Sequence, residues 1–136
     1  VGGTYYVQAL TWTPDVTTAS IICGLLIDTL LVVNNYRDRE ADARSGKRTV
    51  IVRFGEKFGR YFYLLLGISA SLLCLYFLRE GHIYAALLPQ FYLVPHVLTW
   101  RRMVKIHSGK KLNSILGETS RNMLFMGILL AIGMIL

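Results

Sequence analysis

Apolar residues gather into four long stretches, at residues 16–35, 61–78, 83–100 and a last one ending at Leu136. A helix needs about 20 mostly apolar residues to cross a hydrocarbon core. Each stretch meets or nearly meets that length. Counted from Arg121, the last is short; it is long enough only if its helix begins near Asn113. The pattern predicts helices near 16–45, 58–78, 83–104 and 113–136. Pro89 and Pro95 fall inside the third and predict a kink, because proline lacks a backbone donor and crowds the preceding turn. Residues 1–15 contain Gly2, Gly3, several aromatics and Pro14, and read as an irregular connection into the first helix. The expected fold class is all-α, a polytopic transmembrane helix bundle.

Composition agrees with that class. The chain is 54% hydrophobic and only 17% charged, the profile of a membrane protein rather than a soluble domain. A net charge of +7 raises the question of nucleic acid. The placement of the charge answers it: basic residues lie in loops between apolar runs, so no nucleic-acid partner is expected. Eight Lys and Arg fall between Arg37 and Arg60, and six between Arg101 and Arg121. The turn at 79–82 has only Arg79, offset by Glu80, and residues 1–15 have none. By the positive-inside rule the two rich loops are cytoplasmic and the two poor ones external. Arg101–Arg102 and Lys110–Lys111 read as topology determinants that also meet anionic lipid. Cys23 and Cys74 sit within apolar runs and read as inert buried thiols.

Directly after the first apolar run comes NNYRDREADARSGKRT, residues 34–49. On an ideal helix at ~100° per residue, Asp28, Leu31, Asn35, Asp38 and Asp42 share an arc of about 80°. The helix is expected to run to Ser45 and stop at Gly46, a common glycine terminus. Asp28, at membrane depth, must then face protein or a water-filled cavity. Asp38 and Asp42 repel each other unless a cation lies between them. A magnesium ion fits that need, because it takes one or two carboxylates together with substrate phosphates. Lys47, Arg48 and Arg37 are candidates to grip a diphosphate, Arg in bidentate fashion. Asn34 and Asn35 are candidates to orient the ligands behind them. The same spacing also fits a solvated, salt-bridged face, with Glu40 and Arg44 an i, i+4 pair.

The segment NNYRDREADARSGKRTVIVRFG resembles the second aspartate-rich motif of the UbiA superfamily of intramembrane aromatic prenyltransferases. It is most similar to those that act on 1,4-dihydroxy-2-naphthoate in menaquinone synthesis. GTYYVQ at 3–8 and LGETSRN at 116–122 resemble the same subfamily. The resemblance implies about four helices of a nine-helix fold, with Mg2+ held between two Asp-rich motifs. Only the second motif is present in these residues. The chain is therefore expected to be the C-terminal half of one membrane-embedded domain, with an N-terminal half of the same protein as its partner. The implied substrates are a polyprenyl diphosphate and an aromatic acid. The implied reaction is prenyl transfer with decarboxylation, and the implied location is a bacterial inner membrane with the Asp motif facing the cytoplasm. Asp38 and Asp42 would be the metal ligands, Lys47, Arg48 and Arg37 the diphosphate grip. Tyr5 and Tyr6 would line the prenyl path or steady an allylic cation through their ring faces, or else anchor the chain at the membrane interface. Asp28 would line the cavity and help bind the aromatic substrate, or else be a satisfied packing carboxylate.

Two other readings fit parts of the sequence. One keeps the chemistry and changes the aromatic acceptor. The other is a non-catalytic scaffold or transporter fragment in which residues 28–42 form a structural polar face. The topology has a direct check. Cysteines placed at Ser45 and Ser108 are expected to react with a membrane-impermeant thiol reagent only from the cytoplasmic side. Labelling of Ser45 from outside would overturn the orientation.

Overall fold

The computed structural model describes residues 1–136, and all regular structure in it is helical. A short helix, α1 (Gly2–Ala9), leads into the long α2 (Pro14–Arg44). A brief α3 (Val50–Phe54) precedes α4 (Glu56–Cys74), which tightens into a 3-10 turn at Leu75–Leu78. Then come α5 (Ile83–Leu87), a 3-10 turn at Leu88–Tyr92, α6 (Leu93–Ile106) and α7 (Leu112–Ile135). Helices α2, α4, α6 and α7 pack as a bundle in which α2 touches both α4 and α7, and α6 closes the other side.

Local chemistry sets the helix limits. Thr13 caps α2: its Oγ1 accepts from Val16 N, and Pro14 fills the first turn where its missing donor costs nothing. Three helical stretches are long and apolar enough to cross a membrane: Pro14–Arg44, Glu56–Leu78 and Leu112–Ile135. The expected third span is broken instead, into α5, the tight turn and α6. Pro89 sits at the start of the turn. Gln90 repairs the break, donating from Nε2 to the Ala86 carbonyl at 2.8 Å and the Ser71 carbonyl at 2.9 Å. The expected irregular connection at residues 1–15 also differs, since residues 2–9 are helical. Gly2 lies so close to the Trp12 ring that an added Cβ would meet it at 2.4 Å. Packing on Trp12 thus supports a segment of weak intrinsic helix preference.

Two apolar clusters make the core. Ile22, Leu26, Phe77 and Met126 centre one of them, at the end near α1. Val33, Tyr36, Tyr63 and Met103 centre the other, toward the acidic stretch. Between them lie buried polar groups, each with a partner, as a site without water requires. Tyr63 Oη meets Thr119 Oγ1 at 3.1 Å, and Asn122 Nδ2 donates to Thr99 Oγ1 at 2.9 Å. His96 is sandwiched between the rings of Tyr63 and Tyr92, with Tyr92 Oη 3.0 Å from its Nδ1.

At Gly133 the backbones of α7 and α5 nearly touch. A Cβ there would lie 2.5 Å from Ala85 Cα, and backbone cannot rotate away as a side chain can. Gly133→Val is therefore expected to lower stability by about 1–3 kcal/mol. A thermal unfolding midpoint in detergent checks this; an unchanged midpoint would mean that the two helices separate freely there.

Candidate active site

The acidic end of α2 is shaped by how the helix stops. Gly46 takes φ of 77°, the left-handed conformation that suits glycine. Gly46 N then donates to Ala43 O at 3.3 Å and Lys47 N to Asp42 O at 2.9 Å. These bonds satisfy the last carbonyls of the helix and turn the chain back on itself. The return brings the Lys47 ammonium to 3.3 Å from Asp42 Oδ1. Asp42 is buried by this fold-back, and its Oδ2 has no hydrogen-bond partner.

Asp38, one turn earlier, is half-exposed and paired differently. Arg37 Nε donates to Asp38 Oδ1 and Arg37 Nη2 to Asp38 Oδ2, both at 2.7 Å. The same guanidinium donates to Asn34 Oδ1 and to Asn113 Oδ1, each at 2.9 Å. Arg37 is thus the hub that fixes the Asp38 carboxylate and ties α2 to the start of α7. Asn34 acts through Arg37, whereas Asn35 makes no side-chain hydrogen bond.

A polar groove of about 510 Å³ opens here, lined by Arg37, Asp38, Glu40, Arg44, Lys110 and Asn113 among others. Glu40 and Arg44 both face it and form no ion pair, contrary to the expected i, i+4 bridge. Farther along both α2 and α7 lies an apolar groove of about 470 Å³, lined by Ile27, Leu30, Leu31, Asn34, Leu116 and Ser120. The seam between α2 and α7 therefore passes from charged to apolar along its length. Arg48 is elsewhere, in a separate cleft with Val52 and Arg53.

Tyr5 and Tyr6 are not near the acidic stretch. Tyr5 lines a cleft with Val16, Phe77 and Met134, and Tyr6 packs on Trp12. About 19 residues of α2 separate that end from Asp38, roughly 28 Å at 1.5 Å per residue. Tyr5 and Tyr6 therefore lie at the other end of α2 from the acidic groove. Asp28 is exposed on the side of α2 away from the core and has no ion-pair partner. The shared arc holds for Asp28, Leu31 and Asn35, none of them buried, and departs at Asp42, which the returning loop covers.

Behind the groove stands a second network centred on Glu56. Its carboxylate accepts from Tyr36 Oη at 2.8 Å and lies 2.5 Å from His107 Nδ1. It also pairs with Arg60 and, at 3.5 Å, with Arg39. Arg39 continues to the Tyr36 and His107 carbonyls, at 2.7 and 3.0 Å. Sequence reasoning missed this cluster. Its one visible signal was a lone glutamate at the start of a helix, Glu56, directly after Gly55.

Asp38 and Glu40 line the groove, with both Asp38 oxygens bonded to Arg37, and Asp42 lies just outside the lining. No group of three His, Cys, Asp or Glu side chains gathers as a metal cage. Magnesium does not need such a cage, since it keeps several waters and takes phosphate oxygens. The unpartnered, buried Oδ2 of Asp42 fits such an ion: a carboxylate oxygen without a donor is costly unless a positive charge reaches it.

Comparison with known proteins identifies a family for the chain. The sequence profile of the UbiA prenyltransferase family matches residues 1–129. A 1,4-dihydroxy-2-naphthoate octaprenyltransferase of Haemophilus influenzae is 42% identical over 74 residues, 54% of this chain. The protein of that name from Escherichia coli K12 is 40% identical over 75 residues, 55% of this chain. The matched segment spans 24% of the length of either relative. No solved structure matches the chain significantly.

Removing Glu56 should loosen the acidic end. Glu56→Ala leaves the Tyr36 hydroxyl and three basic side chains without their shared acceptor. Its expected cost is roughly 1–3 kcal/mol, within the range for hydrogen bonds to a charged group. Chemical denaturation in detergent measures it, and Glu56→Gln should recover part of the loss.

Proposed function

Because this chain belongs to the UbiA prenyltransferase family, we propose that it forms part of a membrane enzyme that transfers a polyprenyl group from its diphosphate to 1,4-dihydroxy-2-naphthoate, with loss of carbon dioxide. The product is demethylmenaquinone. The observation that carries the reading is the α2–α7 seam, polar around Asp38 and apolar about two turns away at Leu31. That order matches a ligand with an anionic head and a hydrocarbon tail. The choice of acceptor rests on the likeness to the two naphthoate octaprenyltransferases, and the excess of Lys and Arg in the loops favours a cytoplasmic orientation of the acidic end.

The chemistry asks the protein for three things. The diphosphate must be held while the bond to its allylic carbon breaks. Negative charge growing on the leaving oxygens must be offset. The allylic cation must meet the aromatic ring before it meets water. Asp38 and Asp42 would hold Mg2+, which when bound supplies positive charge to the leaving diphosphate. Arg37 fixes the Asp38 carboxylate through two bonds and is itself fixed by Asn34 and Asn113. Lys47 keeps Asp42 neutralised and is near enough to turn toward a phosphate. Arg48 would grip the diphosphate only by moving from its present cleft. Ile27, Leu30, Leu31 and Leu116 exclude water from the tail.

The test uses the full-length gene product in membranes. Asp38→Ala and Asp42→Ala should each abolish magnesium-dependent prenyl transfer, by ~100-fold or more, while insertion is unchanged. Near-normal turnover in either variant would sink the metal-ligand assignment.

A further inference from the structure

We propose that the loop between α6 and α7 forms a third wall of the diphosphate site, with Lys110 as a phosphate-binding residue that acts together with Arg44 across the groove. This rests on the prenyl-diphosphate reading above and adds to it a residue outside the acidic motif, Lys110.

The argument begins with which cations are free. Arg37 is committed to Asp38, Asn34 and Asn113, and Lys47 to Asp42. A diphosphate reaching the groove therefore meets the other two basic residues that line it. These are Arg44 and Lys110, and neither side chain makes a hydrogen bond or an ion pair. The lining holds three cations, Arg37, Arg44 and Lys110, against two carboxylates, Asp38 and Glu40. The groove is thus net positive before any metal enters.

The loop is also held in place. At its start, Arg39 Nη2 donates to the His107 carbonyl at 3.0 Å. At its end, Arg37 Nη1 donates to Asn113 Oδ1 at 2.9 Å, and Leu112 is fully buried. Both ties run to α2, the helix that carries Asp38. Between them the chain doubles back through left-handed backbone at His107, φ 65°, and Gly109, φ 88°. That turn sends Lys110 into the groove and leaves its neighbour Lys111 outside the lining. Two adjacent lysines therefore have different surroundings, which supplies an internal control of equal charge.

The test measures magnesium pyrophosphate binding to the purified full-length protein by calorimetry, beside transfer kinetics with polyprenyl diphosphate. Lys110→Gln should weaken pyrophosphate binding about tenfold and raise KM for the prenyl diphosphate similarly, with kcat within about twofold. Lys110→Arg should recover most of the binding. Lys111→Gln should leave binding and kinetics unchanged, and all variants should share one unfolding midpoint. If Lys110→Gln and Lys111→Gln bind pyrophosphate alike, the proposal is overturned. If pyrophosphate binds in a Lys110-dependent way but no prenyl group is transferred, the loop site stands and the enzymatic reading falls. If transfer proceeds and binding ignores Lys110, the reverse holds. Absence of any pyrophosphate binding overturns the loop site, and absence of both binding and transfer overturns both.

Discussion

The carboxylate of Glu56 is the fastening on which the acidic end depends. Tyr36 and Arg39 come to it from α2, Arg60 from α4, and His107 from the end of α6. Arg39 and Arg60 reach the same three helices, each through Glu56, Tyr36 and His107. Several cations around one carboxylate would repel each other without it, so the network is a mutual condition rather than a sum of pairs. Its effect reaches the groove by way of Arg39, which holds the His107 carbonyl and so begins the loop that carries Lys110. The two networks, one on Glu56 and one on Arg37, grip the same loop from its two ends.

Deeper in the bundle the constraint is different. Apolar helices packed in an apolar medium gain little from burying more hydrocarbon, so close packing and paired polar groups decide which faces meet. Gly67 leaves room for the His96 ring, where a Cβ would lie 2.2 Å from its Nε2. Gly133 admits the α5 backbone. Ser71 with Gln90, Thr99 with Asn122 and Tyr63 with Thr119 each join a different pair of segments. These contacts fix rotation about the helix axes, which hydrophobicity alone leaves open.

What was legible in the sequence was what depends on neighbours in the chain. The apolar runs, the stop at Gly46 and the disruption at Pro89 follow from periodicity and from the backbone limits of glycine and proline. The acidic pair at Asp38 and Asp42 was visible for the same reason. What depended on distant segments was not. Asp42 shares its helical face with Asp38 on paper, yet the loop after Gly46 covers it. Glu40 and Arg44 have the spacing of a pair, yet both turn to a groove whose other wall lies some 70 residues on. The helix at Gly2–Ala9 arose from docking on Trp12, and Glu56 gathered its donors from positions 36, 39, 60 and 107.

The Gly46 turn has a mechanical meaning. Lys47 meets Asp42 twice, once through its backbone N–H and once through its ammonium. The residue that closes the helix is thus the residue that neutralises the carboxylate. Helix length and site charge are set by one register. Adding a single residue between 42 and 47 would rotate the return by ~100° and carry the lysine off the aspartate's side of the helix. The segment tolerates changes of side chain far better than changes of length, and its five-residue spacing behaves as a gauge.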